Sequence, residues 1–224
     1  MFGNLFKRII TSLILVTILF IGLFYNEVSW KILVILFLIL CFYEFNNIVN
    51  KIYKNNNFKV ILLFLAVLYL FFFYFTLIRI RFDFGEEAIL ILLISCILSD
   101  IGGYAVGKFI GGPKLTSLSP NKTISGSFGS IIFTVVGTSL YIMFLNKIDN
   151  NPVKFEFSII FYIWLILMSI FCQLGDLFIS YLKRKAKIKD TGNILPGHGG
   201  ILDRVDGIIF AIPFGVFLYF ILFL

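Results

Sequence analysis

Residues 156–224 read EFSIIFYIWLILMSIFCQLGDLFISYLKRKAKIKDTGNILPGHGGILDRVDGIIFAIPFGVFLYFILFL. A long apolar run gives way to a polar loop, and a second apolar run follows to residue 224. Residues 180–207 alone gather six cations, five glycines, one proline, three aspartates and the only histidine of the chain. An apolar run of about 20 residues is long enough to cross the hydrocarbon core of a bilayer as a helix. The stretch therefore reads as two membrane spans joined by a loop rich in unusual chemistry.

The rest of the chain agrees. Of 224 residues, 60% are hydrophobic and 14% charged, and 29 are Phe. A soluble domain carries about 25% charged residues. Spans are expected at about 9–25, 31–45, 60–77, 88–107, 127–145, 156–182 and 206–224. Unpaired backbone groups are not tolerated in lipid, so all seven should be helices. The expected fold is all-α: a polytopic transmembrane bundle of about seven spans, forming a single integral membrane domain over 1–224. Its catalytic part would lie at about 88–224, preceded by N-terminal spans at about 9–77. The basic start and apolar core of MFGNLFKRIITSLILVTILFIGLFY resemble a leader, but no small-residue cleavage site follows, so it reads as a retained first helix.

Charge sets the orientation. With the N-terminus cytoplasmic, the inner segments hold 14 of the 19 Lys and Arg residues, leaving Lys31, Arg79, Arg81, Lys147 and Lys154 outside. The polar stretches 99–126 and 183–205 then both face the cytoplasm, and the expected location is a cell (inner) membrane. The net charge of +7 is explained by these loops and anionic headgroups, and no nucleic-acid partner is expected. Cys41, Cys96 and Cys172 are far apart, without C-x-x-C spacing, and read as small buried hydrophobes.

Several acids stand where acids are costly. Asp176 lies within IFCQLGDLFISYL, where a carboxylate near a helix centre costs about 2.5–3.5 kcal/mol and needs a partner or a function. Asp203 and Asp206 fall on one face of a helix, with Cβ atoms roughly 5–6 Å apart, and like charges so close call for a cation. Oxygen donors without a Cys or His cluster suit a hard ion such as Mg²⁺. Lys183, Arg184, Lys189 and Arg204 supply positive charge nearby in sequence. Gly199 and Gly200 beside His198 would let backbone N–H groups approach an anion at the head of the last helix. A second constellation, SDIGGYAVGKFIGG (99–112) followed by KLTSLSPNKTISGSFG (114–129), offers Asp100, Ser119, Asn121, Lys122 and Thr123 toward phosphate or ribose oxygens. The plainer reading of that loop is a polar connecting loop capped by Ser.

The pattern S-x-L-K-R-x4-K-D-x-G-x2-L-P-x-H-G-G-x2-D-R-x-D, running from Ser180 to Asp206, resembles the signature of phosphatidate cytidylyltransferases. QLGDL (173–177), SD-x-G-x-Y (99–104) and S-P-x-K-T (119–123) resemble other recurring blocks of that family. The chain departs from the family pattern at Ser125 and Ile179, where Glu is common, and at Gly207, where Ser often stands. The resemblance implies transfer of CMP from CTP to phosphatidate with Mg²⁺, giving CDP-diacylglycerol and pyrophosphate. On this reading Asp176, Asp203 and Asp206 hold one or two divalent ions, and Lys122, Lys189 and Arg204 neutralise phosphate oxygens. His198 would hydrogen-bond to a phosphate rather than serve as a base. The implied partners are CTP and a bilayer lipid, with a homodimer left open.

Two rivals fare worse. A CDP-alcohol phosphatidyltransferase pattern fails after Asp206 and Gly207, because Phe210 and Ala211 occupy the places of Ala and Arg. A cation transporter would need acids along a path through the outer halves of its spans, and none stands there. Cytidylyltransferases or CTP-using kinases acting on other lipids share the same site chemistry, and the acceptor discriminates them.

Overall fold

The computed structural model describes residues 2–54, 56–116, 119, 122–147 and 157–223. Among these residues six helices follow in order: α1 (Phe2–Phe24), α2 (Glu27–Ile52), α3 (Asn56–Ile110), α4 (Ile124–Asn146), α5 (Ile159–Lys185) and α6 (Leu202–Phe223). All six are long and apolar enough to cross a membrane. Among the described residues the only β-type pairings are two isolated bridges, Lys114 with Thr123 and Leu195 with Gly199. The chain is a polytopic helical membrane protein, as its composition requires.

The seven expected spans and the six helices are reconciled at Gly85. The third and fourth spans both fall in α3, whose 55 residues would run to about 80 Å as a straight helix, far more than a bilayer needs. Gly85 breaks it with φ 80° and ψ −175°, a conformation open to glycine and strained for other residues. The second span, expected at 31–45, is longer in the structure: α2 has 26 residues, enough to cross. The last helix begins four residues earlier than expected, so Asp203 and Arg204 are helical.

The chain divides into two compact units, Met1–Ile78 with Tyr181–Val205, and Arg79–Ser180 with Asp206–Leu224. The sequence groups the loop 183–205 with the spans that follow residue 88. The structure groups it with the N-terminal helices, and the hydrogen bonds described below give the reason.

In the first unit α1 and α2 meet at a turn with defined chemistry. Asn26 caps α2 by accepting from the Ser29 N–H at 2.6 Å, while its own N–H donates to Ser29 Oγ at 3.1 Å. The Ser29 hydroxyl also lies 3.0 Å from the Gly22 carbonyl. One stripe of α2 is buried: Trp30, Val34, Leu38, Cys41, Glu44 and Ile48 recur at three- and four-residue intervals. A carboxylate thus sits in line with the apolar core.

In the second unit small residues let helices approach closely, the packing mode that serves where lipid removes the hydrophobic drive. Gly102 and Gly103 of α3 abut Gly129 and Ser130 of α4, and a Cβ on either glycine would collide with them. The Ser99 and Ser169 hydroxyls are 2.9 Å apart, linking α3 to α5. Trp164 Nε1 donates to the Gly215 carbonyl at 2.7 Å, two residues beyond Pro213 within α6. Phe171 and Phe214 stack with centroids 4.5 Å apart. Gly102 and Gly103 of SDIGGYAVGKFIGG therefore serve helix packing, whereas Gly111 and Gly112 lie beyond the end of α3 at positive φ with open space around them. Cys41, Cys96 and Cys172 are buried and free.

Gly85→Ala should cost about 1 kcal/mol or more, because alanine resists positive φ even where, as here, nothing lies within 4 Å of its Cβ. Thermal unfolding in detergent checks this, against a Gly→Ala control at a helical, uncrowded position.

Candidate active site

The loop 186–201 is shaped by its ends. The α5 terminus closes with bonds from the Lys187 N–H to Arg184 O at 3.1 Å and from the Ile188 N–H to Lys183 O at 3.0 Å. Lys187 takes the left-handed conformation, φ 56°, that glycine usually fills in this motif. Farther on, the Leu195 N–H donates to Gly199 O at 2.9 Å, and the Gly199 N–H returns a bond to Leu195 O at 3.1 Å. Gly197 and Gly199, with φ of 79° and 86°, make this tight turn. The sequence reading offers the Gly199 N–H to an anion; here it is spent on the turn.

The head of α6 already holds an anion, and it belongs to the chain. Glu44 is fully buried. It accepts from the Ile201 N–H at 3.0 Å, the Leu202 N–H at 2.9 Å and the Thr191 hydroxyl at 2.7 Å. Gly200 lies against Glu44 and Thr191 with no room for a Cβ. Asp203 is equally engaged: Lys183 Nζ is 2.7 Å from Oδ1, and the Thr191 N–H donates to Oδ2 at 2.7 Å.

His198 sits between two elements of the first unit. The Arg8 guanidinium donates to Gly197 O at 2.8 Å and that of Arg204 to His198 O at 2.9 Å. Thr11 Oγ1 lies 3.0 Å from Pro196 O and 3.2 Å from His198 Nδ1, while Ser12 Oγ is 3.4 Å from Nε2. With the Thr11 hydroxyl donating to a carbonyl, Nδ1–H donates to Thr11 and Nε2 accepts from Ser12. Burial first, then the charges of Arg204 and Arg8, lower the His198 pKa below the ordinary imidazole value of 6.5. Arg184 and Lys189 are exposed.

In the second unit Lys122 Nζ forms an ion pair with Asp176 of α5, both side chains partly exposed. The Ser180 hydroxyl adds a bond to Asp176 Oδ1 at 3.3 Å. Asp100 of α3 lies within electrostatic reach of both Asp176 and Lys122. Cys172 Sγ is 3.9 Å from Asp100 Oδ1 and within electrostatic reach of Asp206. Asp206 Oδ1 accepts from the Gly207 N–H at 2.9 Å. Gly175 lies against the Asp206 carbonyl and Gly207 against Cys172, so α5 and α6 touch where their acids stand. Gln173 exchanges hydrogen bonds with Ser127 and so fixes α5 to α4. Three acids of the sequence reading, Asp100, Asp176 and Asp206, thus share the second unit with Lys122. Among the described residues no three His, Cys, Asp or Glu side chains are gathered tightly enough to form a ready metal cage.

Before α4 the Leu115 N–H donates to Lys122 O at 2.8 Å and the Lys122 N–H to Ser119 O at 3.1 Å. Thr123 caps α4 by accepting from the Gly126 N–H at 3.1 Å, where the plainer reading expects a Ser. Asn121 lies outside the described residues.

A family model described as the cytidylyltransferase family matches residues 53–222. The chain belongs to the cytidylyltransferase family. A phosphatidate cytidylyltransferase of Helicobacter pylori J99 is 40% identical over 159 residues, 70% of this chain and 56% of that protein. One from Bacillus subtilis 168 is 38% identical over 162 residues, again 70% and 56%. A third, from Rickettsia bellii, is 33% identical over 214 residues, covering 94% of this chain and 89% of the relative. The chain thus spans about half the length of the first two relatives and most of the third. The match begins at residue 53, so Glu44, Arg8, Thr11 and Ser12 lie outside the matched residues.

Those four, and Thr191 of the loop, are contacts that sequence reading missed. Glu44 carries the same signal as Asp176, an acid in an apolar run (CFYEF), but it lies outside the recurring blocks. Arg8, Thr11 and Ser12 carry no such signal.

The lowered His198 pKa has a stability consequence. As pH falls the unfolded chain takes up the His198 proton first, so the stability tied to the neutral ring is present above about 6.5 and is lost as pH drops toward the folded value. His198→Gln should therefore lose less stability than wild type on acidification from about pH 7.5 to 5.5, measured by thermal midpoints at each pH.

Proposed function

We propose that the chain transfers CMP from CTP to phosphatidate at the cytoplasmic face of the membrane, giving CDP-diacylglycerol and pyrophosphate. The observation that carries this reading is the pattern from Ser180 to Asp206, joined to the pairing of Lys122 with Asp176 on a separate motif. The relatives named phosphatidate cytidylyltransferase support the same assignment.

In this reaction a phosphate oxygen of the lipid attacks the α-phosphorus of CTP, and the bond to the β-phosphate oxygen breaks as pyrophosphate leaves. The nucleophile is already ionised, so no general base is required. Repulsion between two anions is the main obstacle, and cations and positioning must overcome it. Lys122, held against Asp176, presents an ammonium for which a phosphate would compete. Exposed Lys189 and Arg204 would neutralise further oxygens. A lipid acceptor and a water-soluble nucleotide require a site at the membrane boundary, where these motifs are expected.

The acids of the second unit suit magnesium in kind. Asp100 and Asp176 repel each other, and a lysine ammonium offsets that repulsion. We assign Asp176 and Asp206 to the ion, with Asp203 as the further donor the sequence suggests. Asp203 would have to exchange Lys183 and Thr191 for it. When bound, the ion supplies charge neutralisation for the phosphates and the leaving pyrophosphate.

Purified chain in phosphatidate-containing liposomes should release pyrophosphate from CTP with magnesium and not with EDTA; absence of release with magnesium present overturns the assignment. Asp176→Asn should lower kcat/KM about a hundredfold or more, and Lys122→Gln should mainly raise the KM for CTP. Wild-type kinetics for either variant would remove that residue from the site.

A further inference from the structure

We propose that Glu44 of α2 is a positioning residue for the head of α6 and, through it, for Asp203. The proposal rests on the reading above, in which Asp203 serves the site. Both Glu44 carboxylate oxygens are committed: Oε1 to the Ile201 N–H, Oε2 to the Leu202 N–H and the Thr191 hydroxyl. Those two N–H groups are among the donors a helix start leaves without partners inside the helix, and a carboxylate there also meets the positive end of the helix dipole.

Thr191 extends the hold to Asp203. Its N–H donates to Asp203 Oδ2, and its hydroxyl lies 2.7 Å from Glu44 Oε2 and 3.0 Å from Asp203 Oδ2. A hydroxyl carries one proton, so it donates to one carboxylate at a time. Asp203 is therefore fixed by a chain of contacts that begins on α2. Gly192 and Gly200 both face Glu44 where a Cβ would overlap its carboxylate, so two glycines of the loop make room for this side chain. Glu44 is fully buried, and none of these bonds involves Lys189 or Arg204, the exposed cations assigned to phosphate oxygens. Its role is geometric: it sets where the first turn of α6 lies.

Glu44→Gln keeps the volume but replaces one acceptor oxygen with an amide that donates, and either orientation sets a donor against a backbone N–H. Glu44→Asp keeps two acceptors on a shorter stem. The full-length chain in phosphatidate liposomes is assayed for kcat and both KM values. Thermal midpoint and amide hydrogen exchange over residues 191–206 are measured on the same samples.

In Glu44→Gln, exchange at Ile201 and Leu202 should rise about tenfold or more, and kcat should fall by a similar factor, with both KM values within about twofold of wild type. Glu44→Asp should recover part of kcat. Unchanged exchange at Ile201 and Leu202, or wild-type kcat per folded molecule, overturns the proposal. Should Glu44→Gln fail to fold, Thr191→Val takes its place, and unchanged kcat in that variant overturns the proposal equally. A wild-type chain that does not turn over CTP overturns the functional reading itself and the catalytic half of this one, a result visible before any variant is compared.

Discussion

A carboxylate placed among apolar helices must be matched with a positive group or a set of hydrogen-bond donors, since an unmatched one costs several kcal/mol. That constraint organises this chain. Glu44 is matched by the amides at the start of α6, Asp203 by Lys183 and Thr191, and Asp176 by Lys122. The Glu44 and Asp176 matches join segments far apart in sequence, so satisfying these acids also places the loops that carry the motifs.

The N-terminal helices take a larger part in this than their composition suggests. Their apolar faces can be read as plain spans. Yet Arg8, Thr11, Ser12 and Glu44 hold the 183–205 loop through hydrogen bonds to backbone carbonyls, a histidine ring and helix-start amides. This is why the loop groups with the first unit. The family match begins at residue 53, so these side chains lie outside the matched residues.

Much of the fold was legible because the bilayer demands it: apolar runs of sufficient length had to become helices, and each expected span lies largely within one. The division of α3 was less legible, because Gly85 looks in sequence like any loop glycine, and only its φ of 80° shows that it separates two spans. Of the site, Asp176 and Lys122 were visible as an acid in an apolar run and a cation in a polar motif, but their mutual pairing was not, since 53 intervening residues hide it from any local pattern. The glycines of PGHGG pointed toward anion binding. Gly200 does face a carboxylate, that of Glu44, because a sequence motif does not say whose anion it receives. Thr123, which the sequence offers toward phosphate or ribose oxygens, is the cap of α4.

The central claim is that the nucleotide is cleaved at its α-phosphorus and that the lipid receives the nucleoside monophosphate. The most direct measurement supplies the purified chain with magnesium, phosphatidate liposomes and CTP labelled with ³²P at either the α or the γ position, and then separates lipid from water-soluble products. The account predicts α-label in a cytidine-containing lipid and γ-label in pyrophosphate. Transfer of γ-label to lipid, as a kinase would give, or no label in lipid from either nucleotide, would contradict it.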